Sequence, residues 1–229
     1  MAKADLYWNL KRMPPGETMG GATQKYEGYL MPKISLASSL VETLPFGLTG
    51  LFNPWRDSCP HDTACNGPTE KLDRLARHLD CNPEFILAGE APGYAGCRYS
   101  GIAFTSERLL GEGAIPRISP LSNRLSTRRL PFSEPSATIV WKTLYRLGIA
   151  ERTVLWNALQ LHPYRPDNLW SNRTPNPSEI SLGEPALRML IEAFPSAKII
   201  AVGKKSEGLL HEMGIPTAGS VRHPANGGA

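Results

Sequence analysis

An acid, an aromatic ring and an amide stand just beyond apolar runs in this chain, and together they could hold and act on a flat, ring-shaped ligand. Residues 85–106, FILAGEAPGYAGCRYSGIAFTS, carry the first two. Phe85 to Ala88 form a short apolar run closed by Gly89, and the following turn holds Pro92, Gly93, Gly96 and Gly101. That pattern predicts a buried strand running into a glycine-rich loop. In an open α/β sheet, ligands bind beyond the carboxyl ends of the strands, where free backbone N–H groups and helix N-termini converge. Glu90 would bring a carboxylate to such a pocket and Phe104 a stacking ring; on pattern alone they read equally well as a loop carboxylate and a core side chain. Asn157 ends a second run, TVLWN. An amide at a pocket edge can donate to a carbonyl and accept from the adjacent ring N–H, although an Asn closing a strand at a turn is also common without that role.

Several elements must bring these residues to one edge. PTEKLDRLARHLD predicts a helix capped by Thr69, with Leu72, Leu75, Ala76 and Leu79 recurring at i, i+3, i+4 and i+7. His78 lies off that stripe and is expected in solvent. Ser133 to Leu147 reads as a second helix, with Ser133 or Ser136 as cap, Ile139, Val140, Leu144 and Leu147 on the apolar side, and Gly148 as the stop. Glu184 to Phe194 form a third, KIIAVG another strand, GLLHEMG a short helix with His211 at the surface, and TAGSV a last strand. GKKS at 203–206 lacks the upstream glycine of a phosphate-binding loop and has Lys205 where Ser or Thr should follow the lysine, so it is set aside.

Composition bounds the rest. A chain of 229 residues, 41% hydrophobic, suffices for one α/β domain and hardly for two. Gly and Pro number 21 each, which implies long ordered loops. Residues 1–68 read as an irregular wrap with one short helix near Ser35 to Glu42, and 51–69 as a lobe over the site or a surface loop. With no run of about 18 apolar residues and no leader pattern, neither a membrane span nor a signal peptide is expected, and the protein reads as cytoplasmic. The net charge of +4 permits nucleic-acid binding without requiring it. Arg117, Arg124, Arg128 and Arg129 lie in a polar stretch suited either to phosphate contact or to a solvated surface. The four cysteines, Cys59, Cys65, Cys81 and Cys97, read as free thiols. CPHDTAC, with His61 between two of them, could hold a metal but lacks tight CxxC pairing.

GEAPG followed by GCRYSGIAFTS resembles the first active-site motif of the uracil-DNA glycosylase superfamily, nearest the branch that contains its iron-sulfur members. Asn157 with ALQLHPYRPDNLWSNRTPNPSEI, and His223 before Pro224, resemble the second and third motifs in the same order. The resemblance implies a three-layer α/β/α sandwich around a four-stranded, mostly parallel sheet, in one domain over residues 1–229. It implies a monomeric, monofunctional glycosylase that flips uracil out of DNA and leaves an abasic site in base excision repair. Phe104 would stack on the base and Asn157 read its edge. His223 and backbone N–H groups of the loop holding Ala91 and Gly93 would stabilise charge on the uracil O2, and Glu90 would direct water. Arg124, Arg128 and Arg129 would meet phosphates, and Pro224, Ala225, Asn226 and Gly227 would press on the duplex where the base has left. Neither a cofactor nor a metal ion is implied by this chemistry.

Three features depart from the family pattern. Ala91 stands where the best-known branch has an Asp, moving the burden to Glu90. Gly93 stands where that branch uses a tyrosine to shut out the thymine methyl, leaving Tyr94 or Tyr99 to do so. Leu161 and the turn Gly183 to Ala186 occupy the places of two cluster-binding cysteines, so no cluster of the usual kind is expected. The alternatives kept beside uracil excision are a glycosylase for other deaminated or mismatched bases, and a binding protein for abasic or uracil-containing DNA with weak turnover.

Overall fold

The computed structural model describes residues 36–224, which belong to one compact unit, Lys33–Ala229. The turn-rich stretch MPPGETMGGATQ lies outside the described residues. In chain order the elements are helix α1 over residues 36–42, strand β1 Leu51–Phe52, helix α2 Pro68–Leu79 and strand β2 Phe85–Gly89. Two short helices follow, α3 Cys97–Ser100 and α4 Glu107–Gly111, then α5 Pro135–Arg146, β3 Thr153–Asn157 and β4 His162–Pro163. The last part carries α6 Pro177–Ile180, α7 Glu184–Ala193, β5 Lys198–Val202, α8 Lys204–Glu212 and β6 Gly219–Val221.

Four strands pair in the order β3-β2-β5-β6, all parallel. Their side chains alternate between two apolar clusters. Ile86, Ala88, Val154, Trp156, Ile199 and Ala201 pack with Leu40, Leu75 and Leu187. Leu155 and Val202 pack on the other face with Val140, Trp141 and Leu144. Helices therefore cover both faces, which is the expected three-layer α/β/α sandwich. The register places Gly89 opposite Asn157, so Glu90, the residue after Gly89, leaves the sheet beside Asn157.

Local details differ from the expectations in instructive ways. Helix α2 starts at Pro68 after Gly67, with no side-chain cap; proline at the first helical position has no N–H to satisfy, so Thr69 is not needed there. His78 is fully buried and accepts from the Leu155 N–H at 2.9 Å. Strand β3 is an edge of the sheet, and an edge N–H kept from water needs an acceptor. Burial holds His78 neutral, its pKa pushed down to about 3 with the Arg117 charge adding to the effect. Arg117 itself donates to the carbonyls of His78 and Glu151, so it braces this edge rather than meeting phosphate. In α5 the buried stripe runs through Ala137, Val140, Trp141 and Leu144, while Leu147 is 61% exposed beside the predicted stop, Gly148.

Residues 51–69 combine a buried start, Leu51 to Trp55, with a largely irregular stretch that is in part exposed but tied to the core at points. β1 pairs antiparallel with β4, and the fully buried Lys71 reaches Asp62 at 2.6 Å. Asn66 is also fully buried and donates to the Tyr99 and Leu125 carbonyls.

Candidate functional site

The site is built around Gly89. A Cβ there would stand 2.6 Å from Phe104 Cζ and 2.7 Å from Asn157 Oδ1, so the ring and the amide both lean over a residue that must lack a side chain. The Asn157 backbone follows from strand pairing, and the turn beyond it is tied to the first loop: Ala158 N–H donates to the Gly89 carbonyl at 2.8 Å and Leu159 N–H to that of Glu90 at 3.0 Å. Asn157 is 5% exposed, and among the described residues its carboxamide has no hydrogen-bond partner. Phe104 is buried and its φ is +49°, a left-handed conformation uncommon for a bulky residue and typical of places where the surroundings hold a side chain in position.

His223 follows β6 and closes the group. Its ring centroid lies 6.2 Å from that of Phe104. Gly203, at φ +97°, lets it approach, since a Cβ there would be 3.0 Å from His223 Cβ. His223 keeps an exposed surface, but desolvation of its ring lowers its pKa, with the nearby Glu90 charge opposing, so the imidazole is neutral at neutral pH. Glu90 Oε1 meets Lys205 Nζ at 3.3 Å, and the same ammonium donates to Thr174 Oγ1 at 3.0 Å. Glu90 Oε2 has no partner among the described residues. Acid, amide, ring and imidazole thus converge at the carboxyl ends of β2, β3 and β6, with Phe104 and Asn157 packed directly over Gly89.

The loop after Glu90 is shaped by residues that the sequence did not single out. Glu134 packs its carboxyl against it: a Cβ at Gly96 would fall 2.1 Å from Glu134 Oε2, and one at Gly93 would be 3.3 Å from Oε1. Oε2 is sealed from solvent without a hydrogen-bond partner. Burial raises the Glu134 pKa to about 7, against a smaller opposing effect from Ser136. On the far side, Asn172 Oδ1 accepts from the Tyr94 N–H at 3.0 Å. His162 holds this flank. Its Nδ1 accepts from Arg98 at 3.0 Å and its Nε2 donates to the Ser171 carbonyl at 3.0 Å, a tautomer set by those partners. Ala91 turns its methyl toward the core.

Other expected roles are redistributed. Tyr99 is fully buried, its hydroxyl accepting from Trp170 Nε1 at 2.9 Å, so it cannot screen a base methyl; Tyr94 is half-buried, its ring edge-on to Phe132. Arg124 donates to Glu107 Oε1 at 2.6 Å and to the Arg128 and Arg129 carbonyls. It shapes the loop that displays Arg128 and Arg129, neither of which has an ion-pair partner among the described residues. Pro224 is buried; Ala225, Asn226 and Gly227 lie outside the described residues. Cys59 is buried against Tyr99 and Arg98, His61 packs on Trp170 with centroids 4.7 Å apart, and Cys65 is exposed. Leu161 and the Gly183 to Ala186 turn stand where the resemblance places two cluster-binding cysteines. Leu161 is core, and a Cβ at Gly183 would lie 2.3 Å from the Ala158 carbonyl oxygen.

Comparisons with known proteins bear on the fold and the family. The crystal structure of wild-type Pedobacter heparinus SMUG2 superimposes with a TM-score of 0.57, covering 84% of this chain and 87% of that one at 14% identity; at that identity the likeness is one of fold. No curated protein matches the sequence. The family model described as Uracil DNA glycosylase superfamily matches residues 76–226, a span running from within α2 to past His223. With well over half its length matched, and Glu90, Phe104, Asn157 and His223 all inside that span, the chain belongs to the uracil DNA glycosylase superfamily.

Proposed function

We propose that this protein removes uracil from DNA by hydrolysing the N-glycosidic bond, leaving an abasic site, and that it acts as a monofunctional glycosylase. The observation that carries this reading is the meeting of Phe104, Asn157, His223 and Glu90 around Gly89. In this reading the extruded base stacks on Phe104, and the Asn157 amide donates to its O4 and accepts from N3–H, a pattern that cytosine reverses. As the bond between C1′ and N1 breaks, both electrons pass to the uracil. The charge gathers on O2, where neutral His223 and N–H groups of the Glu90 to Gly93 loop donate. Water then adds to C1′ and gives up its proton toward Glu90, whose other oxygen is held by Lys205.

Purified protein in excess over an oligonucleotide bearing one uracil should release free uracil in a single turnover. Glu90→Ala and His223→Ala should each slow that release by about two orders of magnitude, the usual cost of a positioned catalytic group. A second reading, a lesion-binding protein, is favoured by Ala91 and by the engagement of Glu90 with Lys205. Tight binding with no release at any enzyme excess would establish that reading instead. Release from G·T or hypoxanthine substrates in place of uracil would move the specificity to other bases.

A further inference from the structure

Beyond Gly93 the glycine loop forms one wall of a separate cleft of about 460 Å³, lined by Tyr94, Ala95, Arg128, Phe132, Ser133, Asn168 and Trp170. That volume is typical of small-ligand sites. Its walls are aromatic and rigidly held. Phe132 stacks on buried Tyr99 at 4.7 Å between centroids and meets the edges of Tyr94 and Trp170 at 6.0 and 5.8 Å. Trp170 is anchored through its Nε1 to Tyr99 and by the ring of His61, yet it remains 37% exposed. The Arg128 guanidinium lies 4.9 Å from the Phe132 ring centroid. The core has no need of an exposed indole fixed from two sides beside an arginine without an ion-pair partner. A nucleobase and its phosphate use both, because every base has a π-face and every nucleotide an anion.

We propose that this cleft is a second base site, which takes an unpaired nucleobase adjoining the flipped uracil and so favours single-stranded DNA. The inference rests on the glycosylase reading for the position of the first base. Tyr94 directly follows Gly93, so one strand can reach both sites, whereas a neighbour still paired in a duplex stays in its stack and cannot enter. The cleft walls offer rings and one guanidinium rather than a set of base-reading amides, so the site should accept any base.

The test is a binding cycle read by fluorescence anisotropy, with no turnover required. A single-stranded oligonucleotide bearing uracil is compared with versions lacking the base on the 5′ or the 3′ side of it, for the wild type and for Trp170→Ala. With the wild type, removing one of these neighbours should weaken binding roughly tenfold, the scale of one base–aromatic stack. With Trp170→Ala the intact strand should already bind that weakly, and removing the neighbour should change nothing further. Trp170→Phe, which keeps a ring, should restore most of the dependence, and Arg128→Ala should weaken single strands and reduce the salt dependence. On duplex DNA the wild type and Trp170→Ala should bind alike. Equal sensitivity to the missing neighbour in wild type and Trp170→Ala, or an equal loss on duplex, would overturn the inference. Uracil release in the same samples separately reports on the glycosylase reading.

Discussion

Gly89→Ala should slow single-turnover uracil release by about a thousandfold while leaving the fold intact. Gly89 sits in regular β2 pairing opposite Asn157, and its φ is not in the left-handed region, so alanine meets no backbone obstacle. The obstacle is space. The new methyl would stand 2.6 Å from Phe104 Cζ and 2.7 Å from Asn157 Oδ1, and relief requires the Phe104 ring and the Asn157 amide to retreat together. A misplacement of about 1 Å at a reacting centre can cost a hundredfold, and here two groups move. The overpacking itself should cost about 1–3 kcal/mol of stability, readable as a modest drop in Tm. Gly111→Ala, at a position where a Cβ meets nothing within 4 Å, is the matched control. A Gly89→Ala enzyme with the wild-type rate would mean that the base does not lie between Phe104 and Asn157.

The second large effect concerns Glu134 and pH. Its residue surface is only partly buried, but Oε2 is enclosed and unpartnered, and the pKa is raised to about 7 by burial. The folded state thus holds this proton more tightly than the unfolded chain, whose carboxyl titrates at the ordinary value of 4.5. Stability from Glu134 is therefore complete below about pH 4.5 and is lost as pH rises through 7. The loss amounts to about 3 kcal/mol at pH 8. Glu134→Gln, neutral at every pH, should remove it, so the variant should melt about 6 °C or more above the wild type at pH 8 and close to it at pH 4.5. Buried His78 and His162, both pushed to about 3, act in the opposite sense, their contribution being lost as pH falls below 6.5. They are common to both proteins and cancel in the difference. Identical melting differences at the two pH values would place the Glu134 carboxylate in water.

The parts legible in the sequence were those governed by local pattern. Apolar runs ending in Gly89 and Asn157, and helices with apolar spacing, gave the strands and the edge where the candidate residues meet, while the three layers followed from the family resemblance. The rest depended on partners distant in the chain. His78 lies off the helical stripe, yet an N–H of an edge strand far along the chain calls for its nitrogen. Lys205 stood in a motif judged against a phosphate-loop template, and only the parallel pairing of β2 with β5 brings it to Glu90. Glu134, between the candidate caps Ser133 and Ser136, was not singled out, because nothing local announces that its carboxyl will pack on Gly96. The arginine stretch divided by tertiary role: Arg117 braces a sheet edge and Arg124 a loop, leaving Arg128 and Arg129 to face outward.

The members of the site are not held with equal strength. Asn157 ends a strand buried along its whole length, whereas His223 follows β6, a three-residue outer strand whose Val221 is 51% exposed. Segments with little buried surface at the rim of a sheet open locally at a small fraction of the free energy of global unfolding. The imidazole therefore rides on the part of the sheet that detaches most readily, while the amide and the ring stay on its permanent frame. On the proposed reading, a base that engages His223 also fastens that last strand, which couples filling of the site to the order of the sheet's rim.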